Sequence, residues 1–212
     1  MRDFPVFDTQ NGVGSLILKE IPYRGIAYIR IQAASDPAAF LAECVDFCKM
    51  AGAKRILATG HDCLAQYLPY TQIWKMTIHA DSLPDTDASV FPVTQKTAAR
   101  WQELYNEKMK NVPNSAYMTS RDMQKMLTEG DGYFVHRNGN LLGLGKAAGD
   151  RIDAVISMEK GAGKTVVAAL AHALSADVIS LQVASANEKA VRLYDTLGFI
   201  KNEIVSTWFT IL

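Results

Sequence analysis

Apolar and polar residues alternate along several short segments of the chain, and this period of two predicts β-strands. Residues 25–32 (GIAYIRIQ) show the alternation most clearly, because Ile29 and Ile31 flank the polar Arg30. We predict further strands at 14–20, 55–59, 72–78, 132–137, 140–147, 151–157, 177–183 and 199–212. The dipeptide Asn138-Gly139 is typical of a two-residue hairpin turn, so the strands on either side of it should pair.

Other segments carry apolar residues three or four positions apart, which is the period of an amphipathic helix. The first such helix runs from Asp36-Pro37 to Met50, with Asp as N-cap, Pro in the first turn and Gly52 as the stop. We predict further helices at 63–68, from about 98 to 109, from 119 or 120 to 127, from the loop at 159–165 to about 175, and at 187–197. Ser185 and Glu188 form a candidate capping box for the last of these.

The alternation of strands with helices predicts an α/β fold. The order strand–helix–strand–helix–strand describes both 25–78 and 151–212, and we hold an internal duplication as a hypothesis. The Asp- and Pro-rich segment 80–93 has no periodicity. We therefore predict an N-terminal α/β lobe at 1–80, a linker at 81–93 and a second domain at 94–212.

Composition and charge exclude several classes of protein. The 212 residues contain 22 basic and 22 acidic side chains, so there is no overall positive field that would attract nucleic acid or an anionic membrane. The longest apolar stretch, 166–176, is too short to span a bilayer. The N-terminus lacks the features of a secretion signal, and three cysteines, an odd number, argue against a disulfide scaffold, so we expect a cytoplasmic protein.

Cys44, Cys48, His61 and Cys63 have a spacing that resembles zinc ligands. However, Cys44 and Cys48 share a helical face with Phe40 and Leu41, where thiols pack as small apolar groups. We therefore predict no metal site.

The segment EKGAGKT, residues 159–165, connects a predicted strand to a predicted helix. Such a loop points several main-chain N–H groups at one place, with the positive end of the helix dipole behind them. A tight turn without a ligand is the alternative. We exclude a nucleotide-binding P-loop, because that motif needs a glycine five residues before Gly163 and the chain has Met158 there.

Two motifs together resemble the GNAT superfamily of N-acyltransferases. The family has a strand ending in Val, a loop [QR]-x-x-G-x-[GA], and later N-x-x-A-x-x-L-Y-x-x-x-G-F. This chain has Ala154-Val155 and then Lys160 to Thr165 for the first motif. The second motif is matched fully, by Asn187, Ala190, Leu193, Tyr194, Gly198 and Phe199. The loop departs from the pattern at Lys160 and Thr165. The resemblance covers about 94–212, and the first lobe is outside it except as a degenerate copy.

The resemblance implies a fold and a chemistry. The fold would have a mixed, mostly antiparallel central sheet with flanking helices. Acetyl-CoA would be the acyl donor, and a primary amine of a small molecule or a peptide would be the acceptor. The coenzyme would contact the strand residues Asp153, Ala154 and Val155, the loop residues Gly161, Ala162, Gly163, Lys164, Thr165 and Val166, and Asn187. Tyr194 would protonate the departing thiolate as a general acid.

Several questions stay open at the level of the sequence. Some family members have a Glu on the strand before Asn187, but this chain has Gln182, so the general base is not identified. Glu159, Asp153 and His136 are candidates for it. Trp101, Tyr105 and Tyr117 are candidates for lining the acceptor site, although core packing explains the first two equally well. The alternative functions are an acyl-CoA-binding module with little catalysis and a purely structural protein; the chain would be a monomer or a homodimer.

Overall fold

The computed structural model describes residues 5–212. The chain divides into two compact units. The chain up to Ile73 forms the first unit together with Ile204–Leu212, and Trp74–Glu203 forms the second. The predicted domains differ from these units chiefly at the C-terminus, because 204–212 belongs with the first unit rather than with the rest of 94–212.

The first unit contains a mixed sheet with one long helix. Its elements are β1 (Val6–Thr9), β2 (Gly12–Ile17), α1 (Ile21–Arg24), β3 (Ile26–Ala34), α2 (Pro37–Met50), β4 (Arg55–Thr59) and a short 3₁₀ turn (Asp62–Gln66). β1, β2 and β3 pair antiparallel in sequence order, and β3 pairs parallel with β4. α2 packs on β2 and β3, and Phe40, Cys44 and Cys48 are fully buried in that interface, as the sequence predicted.

Two long strands contain the boundaries between the units. They are β5 (Leu68–His79) and the last strand, β11 (Ile200–Thr210). In the first unit, the end of β11 pairs antiparallel with β4, with Phe209 opposite Ala58. In the second unit, β5 neighbours another strand, β10 (Val178–Ala184).

The second unit repeats one order found in the first, in which antiparallel strands are followed by a helix and then by a parallel strand. Its remaining elements are β6 (Ser89–Pro92), α3 (Ala98–Met109), α4 (Ser120–Glu129), β7 (Gly132–Arg137), β8 (Asn140–Ala148), β9 (Arg151–Ser157), α5 (Gly163–His172) and α6 (Glu188–Leu197). β6, β7, β8 and β9 pair antiparallel, and β9 pairs parallel with β10. In both units a helix packs on two antiparallel strands and leads into a parallel one. The mixed, mostly antiparallel sheet with flanking helices is therefore confirmed.

The second unit has a hydrophobic core on each face of its sheet. α5 covers one face, where Val166, Val167 and Leu170 are fully buried. α3 and α4 cover the other, together with Leu144 and Ile156 of the sheet. The sheet between these two layers carries Asp153, Ala154 and Val155 on β9.

Local signals in the sequence account for most element ends. Asp36 accepts a hydrogen bond from Ala39 N at 3.0 Å, and Pro37 begins α2. Thr119 caps α4 through a capping box with Asp122. Asn138 and Gly139 have φ of 53° and 80°, as the predicted hairpin turn requires.

Several predicted elements differ from those in the structure. The predicted linker contains β6, which pairs with β7 through Val90 and Phe91. β5 begins at Leu68 and includes Pro69, so the preceding helix is only a 3₁₀ turn. α5 ends at His172, because Ala173 N bonds to both Ala169 O and Ala171 O and so closes the last turn. The cap of α6 is Asn187, which accepts from Ala190 N, rather than Ser185.

Candidate functional site

The parallel pair β9–β10 is open over most of its length. Only Arg151–Ser180 and Ile152–Leu181 are paired in register. On its other side, β9 stays paired with β8 as far as Ser157. Beyond Ile152, the edge of β9 that faces β10 therefore has main-chain groups without a strand partner in the described structure.

A β-bulge sits where this opening begins. Lys146 lies opposite Ala154 and Ala147 lies opposite Ile152, so Asp153 has no partner on β8. A bulge of this kind inserts one extra residue and reverses the direction in which the following main-chain groups point. The bulge thus changes which residues of β9 face the slot between β9 and β10.

Hydrogen bonding beyond the bulge identifies those residues. Met158 N donates to Leu142 O at 2.8 Å. Bonds in an antiparallel ladder alternate, so Ile156 and Ala154 also direct their main-chain groups to β8. Val155 and Ser157 direct theirs away from β8, into the slot. The main chain of Val155 is therefore directed into the slot, whereas the main chain of Ala154 is engaged with β8.

The loop at 158–162 leads from the end of β9 to the start of α5. Within it, Ala162 N donates to Glu159 O at 3.3 Å, and Val166 N donates to Ala162 O at 2.9 Å. Gly161 has φ of +88°, which favours glycine. Thr165 is half-buried, whereas Lys160 and Lys164 are exposed.

The first turn of α5 has no cap of its own. Its N-cap residue, Ala162, provides no side-chain acceptor. The N–H groups of Gly161, Gly163, Lys164 and Thr165 have no acceptor among residues 5–212. Unsatisfied N–H groups and the helix dipole together make an anion site. The corresponding helix of the first unit, α2, is instead capped by the Asp36 carboxylate.

α6 packs directly against this loop. A Cβ atom on Gly163 would lie 3.0 Å from Leu193 Cδ2 and 3.3 Å from Ser157 Oγ. The absence of a side chain at Gly163 therefore allows the loop, the end of β9 and α6 to meet. Asn187, at the start of α6, uses its side-chain oxygen to cap the helix and retains its amide N–H₂ for other contacts.

Tyr194 lies on the buried side of α6, next to Leu193. The side chain is 8% exposed, and its ring centroid lies 5.5 Å from that of Phe199. Its hydroxyl has no hydrogen-bond partner in the described part of the chain. Burial raises the pKa of Tyr194 to about 12, so the phenol is protonated at neutral pH. It can therefore donate a proton but not accept one.

The three candidate bases differ in their surroundings. Asp153 is engaged with Lys146, at 3.3 Å, and with Arg151. His136 packs between Phe91 and Phe134, with ring centroids 5.4 and 6.3 Å away. Glu159 is exposed in the loop itself. Of the three, only Glu159 lies beside the anion site without an ion pair to another described residue.

The aromatic residues of α3 belong to the core. Trp101 is fully buried, its indole Nε1 donates to Tyr133 O at 3.0 Å, and its ring stacks on Tyr105 at 5.1 Å. Tyr105 is 8% exposed. Of the three candidates for lining the acceptor site, only Tyr117 is half-exposed.

Sequence reasoning missed two glycines on which the site depends. A Cβ on Gly143 of β8 would lie 2.6 Å from Val166 Cγ2, and one on Gly145 would overlap Leu170. α5 can lie this close to β8 only because both positions lack a side chain. The signal in the sequence is a Gly-Leu-Gly pattern inside a predicted strand, which indicates a close approach.

No potential metal site appears in the described structure: residues 5–212 contain no group of three or more His, Cys, Asp or Glu side chains placed to hold an ion. None of the helices in this part of the chain is both long and apolar enough to cross a bilayer.

Comparison with known proteins identifies the fold. No protein-family model and no curated protein matches the sequence. A conserved protein of unknown function from Staphylococcus epidermidis matches with a TM-score of 0.63 and 10% identity, over 98% of this chain and 93% of that one. A GCN5-related N-acetyltransferase from Kribbella flavida matches with a TM-score of 0.56 and 16% identity, over 99% and 89%.

A tandem GNAT protein from the clavulanic acid biosynthesis pathway also matches, with a TM-score of 0.51 and 12% identity, over 94% of this chain and 78% of that one. These matches cover both units of the chain. The chain therefore has the GNAT fold, as its two motifs predicted, and a duplicated topology agrees with the order shared by its two units.

Proposed function

We propose that this protein is an acyl-CoA-dependent N-acetyltransferase. It would move the acetyl group of acetyl-CoA to a primary amine of a small molecule or a peptide. The observation that carries the proposal is the open edge of β9 next to the uncapped first turn of α5. One place thus offers main-chain groups for an extended amide-containing chain and N–H groups for an anion.

Each part of the coenzyme has a matching part of the site. The N–H groups of Gly161, Gly163, Lys164 and Thr165 would bind the diphosphate, which needs several donors and a positive field. The pantetheine arm contains amides, and Val155 and Ser157 offer main-chain partners along the slot. The free N–H₂ of Asn187 would contact this arm from α6.

The reaction would be direct attack in one ternary complex. The lone pair of a neutral amine forms a C–N bond to the thioester carbonyl carbon, and the C–S bond then breaks. The Val155 N–H would stabilise the negative charge on the carbonyl oxygen. Tyr194 would give its proton to the departing sulfur and regain one released by the amine nitrogen. The products are the acetylated amine and coenzyme A with a free thiol.

A pair of substitutions at one position tests the coenzyme site. Gly163→Asp places a carboxylate at the anion site, whereas Gly163→Asn adds a side chain of the same size without the charge. We expect Gly163→Asp to abolish binding of coenzyme A, as measured by calorimetry, because its charge opposes the diphosphate. We expect Gly163→Asn to retain part of the affinity. Unchanged affinity of Gly163→Asp for coenzyme A would place the coenzyme elsewhere.

The second candidate function is a module that binds acyl-CoA without efficient catalysis. The exposed Gln182 on β10 favours this function, since Gln182 occupies the position where some GNAT members have a glutamate. Turnover separates the two functions. Release of free thiol from acetyl-CoA, measured in the presence of a library of amines, supports the enzyme. Saturable binding of coenzyme A without thiol release for any amine would support the module.

A further inference from the structure

A cavity lies wholly within the first unit. Its volume is about 390 Å³, which is within the usual range for small-molecule sites. Arg30, His61, Asp62 and Trp208 line it, with other residues at the end of β4 and along β11. None of these residues takes part in the proposed acyl transfer.

This cavity does not correspond to a second coenzyme slot. In the first unit, β3 and β4 stay paired over five residues, from Ile26–Arg55 to Arg30–Thr59, so no main-chain edge is open between them. The helix that follows β3 is capped by Asp36. The open strand edge and the uncapped helix, on which the proposed coenzyme site of the second unit rests, are thus both absent from the described part of the first unit. A ligand of this cavity would therefore differ from coenzyme A.

Two opposite charges line the cavity without neutralising each other. Arg30 and Asp62 are both exposed. Neither forms an ion pair or a side-chain hydrogen bond with any residue in the range 5–212. A ligand that carries both a negative and a positive group would therefore find a partner for each.

The lining also provides neutral donors and an apolar surface. Trp208 is 9% exposed, and its ring packs edge-on against Tyr28 with centroids 5.4 Å apart. Its indole N–H has no acceptor among the described residues. His61 Nδ1 accepts from Cys63 N at 3.1 Å, so Nε2 of the neutral ring carries the proton and can donate.

The position of these groups is fixed by the sheet. Thr59 Oγ1 donates to Thr207 O at 2.6 Å, which joins the end of β4 to β11 at the cavity wall. Arg30 lies opposite Thr59 in the parallel register, and Trp208 follows Thr207 on β11. The donors therefore extend from three adjacent strands.

We propose that this cavity binds a small zwitterion, an α-amino acid with an apolar side chain. The guanidinium of Arg30 matches a carboxylate in shape and charge. The Trp208 and His61 N–H groups add donors for the same carboxylate, and Asp62 accepts from the ammonium group. The apolar side chain of the ligand packs on the indole ring of Trp208.

Three related ligands test the proposal by calorimetry on the full chain. L-Phenylalanine carries both charges, 3-phenylpropionate only the carboxylate, and phenethylamine only the ammonium. We expect L-phenylalanine to bind at least about tenfold more tightly than either of the others, because each of them lacks one of the two charged hydrogen-bonding groups.

Two substitutions assign the charges. Arg30→Gln should weaken binding of L-phenylalanine by about tenfold or more. Asp62→Asn should lower the affinity for L-phenylalanine to that for 3-phenylpropionate, without weakening 3-phenylpropionate itself. Arg100→Gln is the matched control, because Arg100 is an exposed arginine paired with Glu103 in the second unit. It should change no affinity.

The results that overturn the proposal are distinct. Absence of saturable binding of L-phenylalanine at millimolar concentration would exclude the site, and so would an affinity that Arg30→Gln leaves unchanged. Equal affinities for L-phenylalanine and 3-phenylpropionate would make the cavity an anion site instead. Circular dichroism of each variant checks the fold, which substitutions at exposed positions should preserve. None of these outcomes bears on binding of coenzyme A.

Discussion

The side chain of Tyr194 is largely buried, its phenol is protonated at neutral pH, and its hydroxyl has no partner in the described structure, so its proton is available to a ligand. Tyr194→Phe removes the hydroxyl and keeps the ring that packs on Phe199. We expect turnover to fall by about 10²- to 10⁴-fold, which is the usual contribution of general acid catalysis. The dissociation constant of coenzyme A should stay nearly unchanged. Steady-state kinetics and calorimetry measure the two effects.

Tyr67→Phe is the control for this experiment, since Tyr67 is half-buried in the first unit and packs against its core. It should leave both turnover and binding unchanged. If Tyr194→Phe turned over at the rate of the parent protein, Tyr194 would have no part in the chemistry.

In the described structure, the buried carboxylate of Asp131 forms an ion pair with one lysine. Lys146 Nζ lies 2.5 Å from Asp131 Oδ2 and 3.3 Å from Asp153 Oδ2, while Asp131 Oδ1 is buried without a hydrogen-bond partner. Burial alone would lower the pKa of Lys146, but the hydrogen bond and charge of Asp131, with those of Asp153, raise it above its ordinary value. The lysine is therefore charged at neutral pH.

Removing this lysine should lower the stability of the folded protein. Lys146→Met keeps the aliphatic part of the side chain but leaves a buried carboxylate uncompensated. We expect the free energy of unfolding to fall by about 3 kcal/mol, at the low end for a broken buried pair because the lysine is partly exposed. The double variant Lys146→Met with Asp131→Asn should recover most of that loss. Urea denaturation measures both; equal stabilities of the single and double variants would contradict the argument.

Motifs in the sequence identified part of the candidate site. The motif from Asn187 to Phe199 and the glycine loop were recognisable because their spacing is local. The bulge at Asp153 could not be predicted, since it depends on the register between β8 and β9. The same register directs Val155 rather than Ala154 into the slot. Which main-chain groups face a ligand is a property of paired strands, and no single segment contains it.

At the level of elements, the contact of α5 with β8 determines where the first turn of α5 begins. Gly143→Ala would place a methyl group against Val166 and the main chain of Ile156. We expect the free energy of unfolding to fall by about 1–3 kcal/mol, as is usual for overpacking. Affinity for coenzyme A should fall as well, because α5 must move away from β9.

The control for this substitution lies on the same strand. Ala148→Val adds volume at the exposed end of β8 and should change neither stability nor affinity. Urea denaturation and calorimetry on both variants separate the two effects. Unchanged stability of Gly143→Ala would show that α5 tolerates the extra methyl group.

Elements whose ends are marked by capping or turn residues were predicted well from the sequence. Elements that form only by pairing with another strand were not. Asp36-Pro37 and Asn138-Gly139 fix a helix start and a hairpin through local geometry. β6 was missed because its four residues form a strand only through pairing with β7. Pro69 was interpreted as the end of a helix, although a proline is tolerated at the beginning of a strand such as β5.

At the scale of the whole molecule, each unit contains a buried tyrosine that should control stability at high pH. Burial, helped by the nearby Glu20, raises the pKa of Tyr28 from 10.0 to about 12. Burial raises that of Tyr194 equally. Unfolding lowers both values to about 10, so the unfolded chain loses these protons first as the pH rises.

The free energy of unfolding should therefore be insensitive to these groups below pH 10 and should fall between pH 10 and about 12. Each tyrosine would account for at most about 3 kcal/mol. Urea denaturation from pH 8 to 11.5 measures the fall. Tyr28→Phe and Tyr194→Phe should each make the free energy of unfolding fall less steeply with pH. An unchanged slope in both variants would show that other groups cause the fall.

Both units contain antiparallel strands followed by a helix and a parallel strand, but they differ at the place where function is proposed. The parallel pair is open in the second unit and closed in the first, and the following helix is uncapped in the second and capped in the first. The duplicated order was visible in the sequence as a repeated strand–helix alternation. The difference in pairing was not, because it depends on how far two distant segments stay in register.

The position of β11 has a consequence for synthesis on the ribosome. Residues 204–212 emerge after the entire second unit, yet they supply the strand that pairs with β4 of the first. Until they appear, the nascent chain exposes an unpaired strand edge, a known route to aggregation. The first unit is thus completed only after the second has been synthesised, and chaperone demand should persist until residues 204–212 have left the ribosome and paired with β4.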